Sequence, residues 1–286
     1  MPAMEKGFSI LIPTWNNLPF LKLCIKSIRC NSNYSHQILV HVNEDLDGTL
    51  EWVRAQEDIT FTHSSQNIGI CYALNILANQ ATTDYIMYLN DDMYLCPDWD
   101  TVLMKEIRAL NHSNFFFSLT SIEMFPQSNC MIQGDFGRSY ADFEEERLLQ
   151  DYNKTIFHDW HGATWAPNIV PKELWEKVGG YSIEFSPGMY SDPDFSMKLW
   201  KSGIRLFKGI SGSRVYHFGS VSVKRVKKNK GYYRFISKWG ITNSIFSSKF
   251  LHRGQKHDGY LSDPEISFLT LLRIFPKRVM AMFQSG

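Results

Sequence analysis

With 286 residues, 44% of them apolar and 21% charged, the chain has the make-up of a soluble globular protein with ample material for a core. No repeat or low-complexity block occurs, and the longest N-terminal apolar run, FSILIP, is too short for a signal peptide or a membrane-spanning helix. The net charge of +1 conceals a contrast: residues 221–286 hold 13 Lys and Arg against 3 Asp and Glu, whereas residues 1–220 hold 17 against 26, so the basic tail is expected to be a separate functional unit.

In chain order, FSILIPTWNN predicts a strand over residues 8–12, stopped by Pro13. Leu21, Cys24, Ile25 and Ile28 follow at helical spacing, with Asn17 as the cap and Pro19 in the first turn. QILVHVNE alternates as a second strand, DGTLEWVRAQ starts a short helix behind Asp47, and ITFTHSS is a third strand. NIGICYALNILANQA places Ile70, Ala73, Leu74, Leu77 and Ala78 on one helical face, and an apolar strand over residues 85–89 leads into Asn90-Asp91-Asp92 and a Pro-containing loop. Further on, DWDTVLMKEIRAL is expected to be helical and NFFFSLTSIEM a strand, while residues 126–160 resist assignment apart from a solvated acidic face at Glu144–Glu146. PKELWEKVGG and SDPDFSMKLWKSG are short helices closed by glycine, and IRLFKG and SRVYHFG read as two strands. Strands alternating with helices of this length predict an α/β fold with a mostly parallel sheet flanked by helices.

Ligands bind such sheets beyond the carboxyl ends of the strands. Three strand ends carry suitable polar groups: Thr14-Trp15-Asn16, Asn43-Glu44-Asp45 and Asn90-Asp91-Asp92. An isolated Asp pair reads by default as a solvated turn. At the end of an apolar strand, beside two other polar strand ends, it also suits a divalent cation held against a diphosphate. The five cysteines (Cys24, Cys30, Cys71, Cys96, Cys130) lack CxxC or Cys/His metal spacing, which predicts reduced buried thiols and a cytoplasmic location. No GxGxxG or P-loop occurs.

Four segments, in order, resemble family 2 glycosyltransferases with the GT-A nucleotide-sugar fold: SILIPTWNN, VNEDLDGTLEWV, NIGICYALNILANQATTDYIMYLNDDM and VGGYSIEFSPGMYSDPDFSMKLWKSGIRLF with the later VYHF. The resemblance covers residues 8–218 and implies a role for each matching position. Pro13, Thr14 and Asn16, with Asn43 and Glu44, would line the base and ribose pocket, and Asn67 and Gly69 would shape the loop beside it. Asp91 would face the ribose or metal-bound water, Asp92 would ligate Mn²⁺ or Mg²⁺, and Asp192 would be the general base. His217, by itself a packed core histidine, stands where some members have a further metal or diphosphate contact. The usual Glu-Asp of the base segment is here Ser191-Asp192 followed by Pro193-Asp194, which leaves Asp194 as the alternative to Asp192. Glu44 is preferred over Asp45 at the second strand's acidic position. Trp160, His161 and Trp165 are core residues by default, but they also suit an acceptor-sugar platform.

The implied function is metal-dependent, inverting transfer of a hexosyl or N-acetylhexosaminyl group from a nucleotide-diphosphate sugar, UDP preferred, to a glycan, glycolipid or glycoprotein hydroxyl. The rivals are a non-catalytic glycan-binding relative and a sugar-phosphate nucleotidyltransferase, whose Gly-rich loop IPTWNNLPF lacks. Residues 1–220 would be the catalytic domain, with a nucleotide-sugar half to about residue 110 and an acceptor half beyond it. The tail from 221 would be a basic, helical lid, membrane-surface contact or homodimer contact, starting with Lys224, Arg225, Lys227, Lys228 and Lys230. Its last segment, ISFLTLLRIFPKRVMAMF, is broken by Pro276 and too charged to span a membrane. No nucleic-acid partner is expected, and a lipid-linked acceptor would account for the tail.

Overall fold

Apolar strands covered on both faces build the centre of the molecule, which a computed structural model describes over residues 5–219 and 229–284. The first half runs β1 (Lys6–Trp15), α1 (Leu18–Asn31), β2 (Ser35–Asn43), α2 (Thr49–Arg54), β3 (Ile59–Ser64), α3 (Gly69–Ala78), β4 (Tyr85–Tyr88), β5 (Met93–Leu95) and α4 (Trp99–Ala109). The second half runs β6 (Phe116–Glu123), β7 (Met131–Gln133), α5 (Glu145–Asp151), β8 (Trp160–His161), β9 (Asn168–Pro171), α6 (Lys172–Val178), α7 (Ser191–Lys201) and β10 (Phe207–His217). After it come α8 (Gly231–Trp239), α9 (Asn243–Ile245) and α10 (Phe268–Gln284).

The strands form one sheet in the order β3-β2-β1-β4-β9-β6-β10-β5, with β7 beside β6 and β8 beside β10. β3, β2, β1 and β4 are mutually parallel, as are β6 and β10. β9 is antiparallel between β4 and β6, and β5 is antiparallel to β10. The mostly parallel α/β sheet expected from the sequence is therefore present. All eight positions of β6 are buried, the pattern of a strand covered on both faces.

Several local expectations are corrected. Pro13 does not stop β1, because the pairing with β4 ends at Leu11 and a missing N–H costs nothing on a side with no partner. The residues after Asp92 form β5 rather than a loop. IRLFKG and SRVYHFG are one strand, β10, interrupted by a register shift between Ile210 and Arg214. Asn17 makes no capping bond; the first free amide of α1, that of Leu18, donates instead to Asp47 Oδ2 at 2.8 Å. α10 continues through Pro276, whose ring takes away one backbone bond without ending the helix. Of the cysteines, four are buried but Cys30 is exposed. Glu145 is not merely solvated, since it accepts from Tyr94 Oη and pairs with Lys26.

Phe235, Phe246, Leu251, Leu261 and Ile274 belong to the same apolar cluster as β1 and β4, so the described part of the tail shares the core of the sheet. Lys224, Arg225, Lys227 and Lys228 lie outside the described residues. No helix among the described residues is long and apolar enough to cross a membrane.

Candidate active site

A cavity of about 390 Å³ opens at the carboxyl ends of β1, β4 and β6, where the strand order reverses from β1 to β4. That reversal is where parallel sheets leave a crevice, because the flanking connections depart to opposite faces. Pro13, Thr14, Asn43, Asn67, Gly69, Asp91, Asp92, Trp165, Asp192 and His217 all line it.

On the β1–β2 side, Asn43 ties the wall together. Its Oδ1 accepts from Ile68 N at 3.0 Å, and its Nδ2 donates to Thr14 O at 3.4 Å. Asn67 Oδ1 accepts from Gly69 N at 2.8 Å, closing the turn that starts α3. Gly69 has φ +77°, and a Cβ there would sit 2.4 Å from Ser186 Oγ and 2.6 Å from Pro187 Cα. Both the conformation and the close approach require glycine. Ile70 N then donates to Pro187 O at 3.0 Å, which holds the loop before α7 against α3.

The acidic end is built by strand pairing. Thr14 Oγ1 donates to Asp91 Oδ2 at 2.6 Å. β5 runs antiparallel to β10 with Met93 opposite His217, so Asp92, one residue earlier, meets the end of β10. Asp92 Oδ1 is 3.5 Å from His217 Nε2, and Glu123 Oε1, at the end of neighbouring β6, is 2.7 Å from His217 Nδ1. Burial works against a charged imidazole here, but Asp92 and Glu123 outweigh it and raise His217 to about 10. Its Nε2 is buried and makes no hydrogen bond. A ring nitrogen without a hydrogen bond, beside a carboxylate and oriented by a second carboxylate, fits a divalent cation, which would displace the ring proton. Among the described residues no three His, Cys, Asp or Glu side chains converge as a complete ligand set. Asp92 and His217 would hold such an ion only together with oxygens from a ligand, the usual arrangement for Mg²⁺-type ions on phosphates.

Asp192 stands on another wall, in the first turn of α7. Tyr190, just before the helix, has φ +71° and also lines the cavity. Desolvation raises the Asp192 carboxyl to about 6, against the pull of one hydrogen bond from Tyr181 Oη at 2.9 Å. A carboxylate with that pKa is suited to accept a proton near neutral pH.

Four expected residues lie elsewhere. Glu44 accepts from Trp15 Nε1 at 2.7 Å and Asn16 Nδ2 at 3.2 Å, so both acidic and amide groups are turned to shaping the loop behind Trp15. Asn16 and Glu44 both have positive φ, at 47° and 55°. His161 binds Asp258 at 2.7 Å and packs on His257, away from the cavity. Asp194 is fully buried and accepts from Ser182 Oγ at 2.6 Å and Trp239 Nε1 at 2.8 Å, with Lys238 Nζ 3.0 Å away. With its oxygens so occupied, it anchors α8 to α7. Sequence reasoning missed Glu123, Tyr181 and Tyr190. Glu123 carried the same signal as Asp91-Asp92, a lone acid ending an apolar strand.

The parallel sheet and the acidic cavity at its switch point define a GT-A glycosyltransferase fold. Solved structures agree: GalNAc-T7 with UDP, GalNAc and Mn²⁺ superposes with TM-score 0.60 at 15% identity over 87% of this chain. S. aureus TarS 1-349 in complex with UDP-GlcNAc gives 0.54 at 14% identity over 97%, and the mannosyltransferase PcManGT from Pyrobaculum calidifontis with GDP-Man and Mn²⁺ gives 0.54 at 14% over 99%. The chain spans 51% of the GalNAc-T7 structure, 72% of TarS 1-349 and 75% of PcManGT. No curated protein matches the sequence. The sequence model of glycosyl transferase family 2 matches residues 9–165, more than half of the chain, and the protein belongs to that family. Asp192 and His217 lie beyond the matched residues.

Proposed function

We propose that the protein is a metal-dependent, inverting glycosyltransferase that moves a sugar from a nucleotide-diphosphate donor, UDP preferred, to a hydroxyl of a glycan or lipid-linked acceptor. The observation that carries this reading is the sharing of one cavity by Asp92 and His217 on one side and Asp192, its carboxyl raised to about 6, on another. The UDP-GlcNAc in the TarS structure, the GDP-Man and Mn²⁺ in PcManGT, and the UDP and Mn²⁺ in GalNAc-T7 support a donor and metal of the same kind here.

The donor's base and ribose would lie against Pro13, Thr14, Asn43 and the turn at Asn67 and Gly69, with Asp91 held in place by Thr14. When bound, a divalent cation at Asp92 and His217 would neutralise charge on the departing diphosphate. Asp192 takes the proton from the acceptor hydroxyl as that oxygen bonds to the anomeric carbon. The bond from that carbon to the diphosphate oxygen breaks on the opposite side, and the electron pair leaves with the nucleoside diphosphate. Tyr181 orients Asp192 for this through its hydroxyl. Trp165 offers an apolar face to the acceptor sugar.

Asp192→Asn is expected to lower transfer by about 10²-fold or more while leaving UDP affinity intact, measured by product formation and by calorimetry with UDP and Mn²⁺. Near-normal transfer by that variant would overturn the assignment. Asp92→Ala is expected to remove donor hydrolysis and transfer together. UDP binding that is insensitive to chelator in the parent chain would favour a metal-independent binding protein.

A further inference from the structure

Among the described residues, α10 packs on the rest of the molecule through one face only. Ile274 and Ala281, seven residues apart, are its buried positions. Phe268, Leu272, Phe275, Val279 and Phe283, which recur every three or four residues, form a continuous stripe on the other side of the helix. That stripe is uncovered: Phe268 is 73% exposed, Phe275 62% and Phe283 83%. An apolar face this long is rare on a free surface and marks a contact with something apolar.

Charge identifies the covering partner. Arg273, Lys277 and Arg278 are exposed on the same helix, which carries no acidic residue. On the helical repeat, Arg273 and Arg278 flank the apolar stripe on its two sides, where long cationic side chains can reach outward while the stripe sinks between them. A second copy paired across a two-fold axis would set these cations against their own images. An anionic lipid surface accepts both features at once: acyl chains for the stripe and headgroup charge for the flanks. We infer that α10 docks the protein, lying in the interfacial plane, on an anionic bilayer. Lys277 also lines a polar cleft that shares Tyr190 with the reaction cavity, so the docked helix adjoins the site.

The test uses the full chain and sedimented vesicles of phosphatidylcholine, alone or with about 30% phosphatidylglycerol. The protein is expected to sediment with the anionic vesicles, less with the neutral ones, and less again as salt rises. Phe275→Glu with Val279→Glu should cut the bound fraction at least about tenfold, with an unchanged melting temperature because both side chains are exposed. Arg273→Gln with Arg278→Gln should abolish the preference for anionic over neutral vesicles. Failure of the parent chain to bind anionic vesicles would overturn the inference. So would undiminished binding by the double Glu variant, or a dimer in sedimentation velocity that the same variant dissolves. None of these readouts depends on sugar transfer.

Discussion

Asp192 and Asp194 are separated by one proline and do opposite things. The former faces the cavity with its carboxyl raised to about 6; the latter is saturated by Ser182, Trp239 and Lys238. Transfer should therefore fall as pH drops through about 6, because the proposed base is then protonated, and the falling limb is read from a kcat/KM profile. Stability responds in the reverse sense. The folded-state pKa lies above the unfolded value, so the ionised group penalises the fold above about pH 6, and the penalty disappears as pH falls toward 3.8. Asp192→Asn should raise stability at pH 8 by on the order of 2 kcal/mol, seen in denaturant unfolding. Asp194→Ala should instead cost about 3 kcal/mol by stranding Lys238 and Trp239, with UDP affinity retained. The sequence offered both as candidates for a base but did not show which Asp faces the cavity. Side chains two apart on a helix point to nearly opposite sides, and only the packing of α8 shows which side is filled.

The site's precision comes from two elements meeting. The turn into α3 touches the loop before α7, and Gly69→Ala would press a methyl group into Pro187 while straining a positive φ. About 2 kcal/mol of destabilisation and weaker UDP binding are expected, measured by thermal unfolding and calorimetry. β5 against β10 is the second junction, since it brings Asp92 to His217 and Glu123. His217→Ala is expected to lower Mn²⁺ affinity in the presence of UDP about tenfold or more, followed by calorimetry. β2, buried throughout from Ile38 to Asn43, and the helical spacing of α1 and α3 were readable because each carries a local apolar pattern long enough to show. β5, β8 and β9 were not. They are two to four residues long and owe their form to neighbours far along the chain.

The tail and the sheet form one core. Phe246, fully buried, contacts Trp200 of α7 and Phe235 of α8, and Trp239 bonds to Asp194 beneath the site. Phe246→Ala should cost about 3–5 kcal/mol. A chain ended at residue 219 should lose its cooperative unfolding transition, because Trp200 would lose the cover of Phe246 and Phe250 and Asp194 would lose Trp239; circular dichroism during urea titration would report this. The charge contrast between body and tail had implied a separate unit, but charge records what faces water and says little about what lies beneath it.

The alternation of strands and helices, the polar strand ends, and candidate acids at 91, 92, 192 and 194 could be read from the chain alone, because hydrophobic period and residue chemistry are local properties. Tertiary structure alone decided that Glu123 orients His217, that Asp194, His161, Asn16 and Glu44 do not line the cavity, and that α10 leaves an apolar stripe open. Those outcomes depend on which surfaces come together across a hundred residues of chain. Local pattern cannot encode that, since a buried carboxylate and a catalytic one are the same side chain until their neighbours arrive.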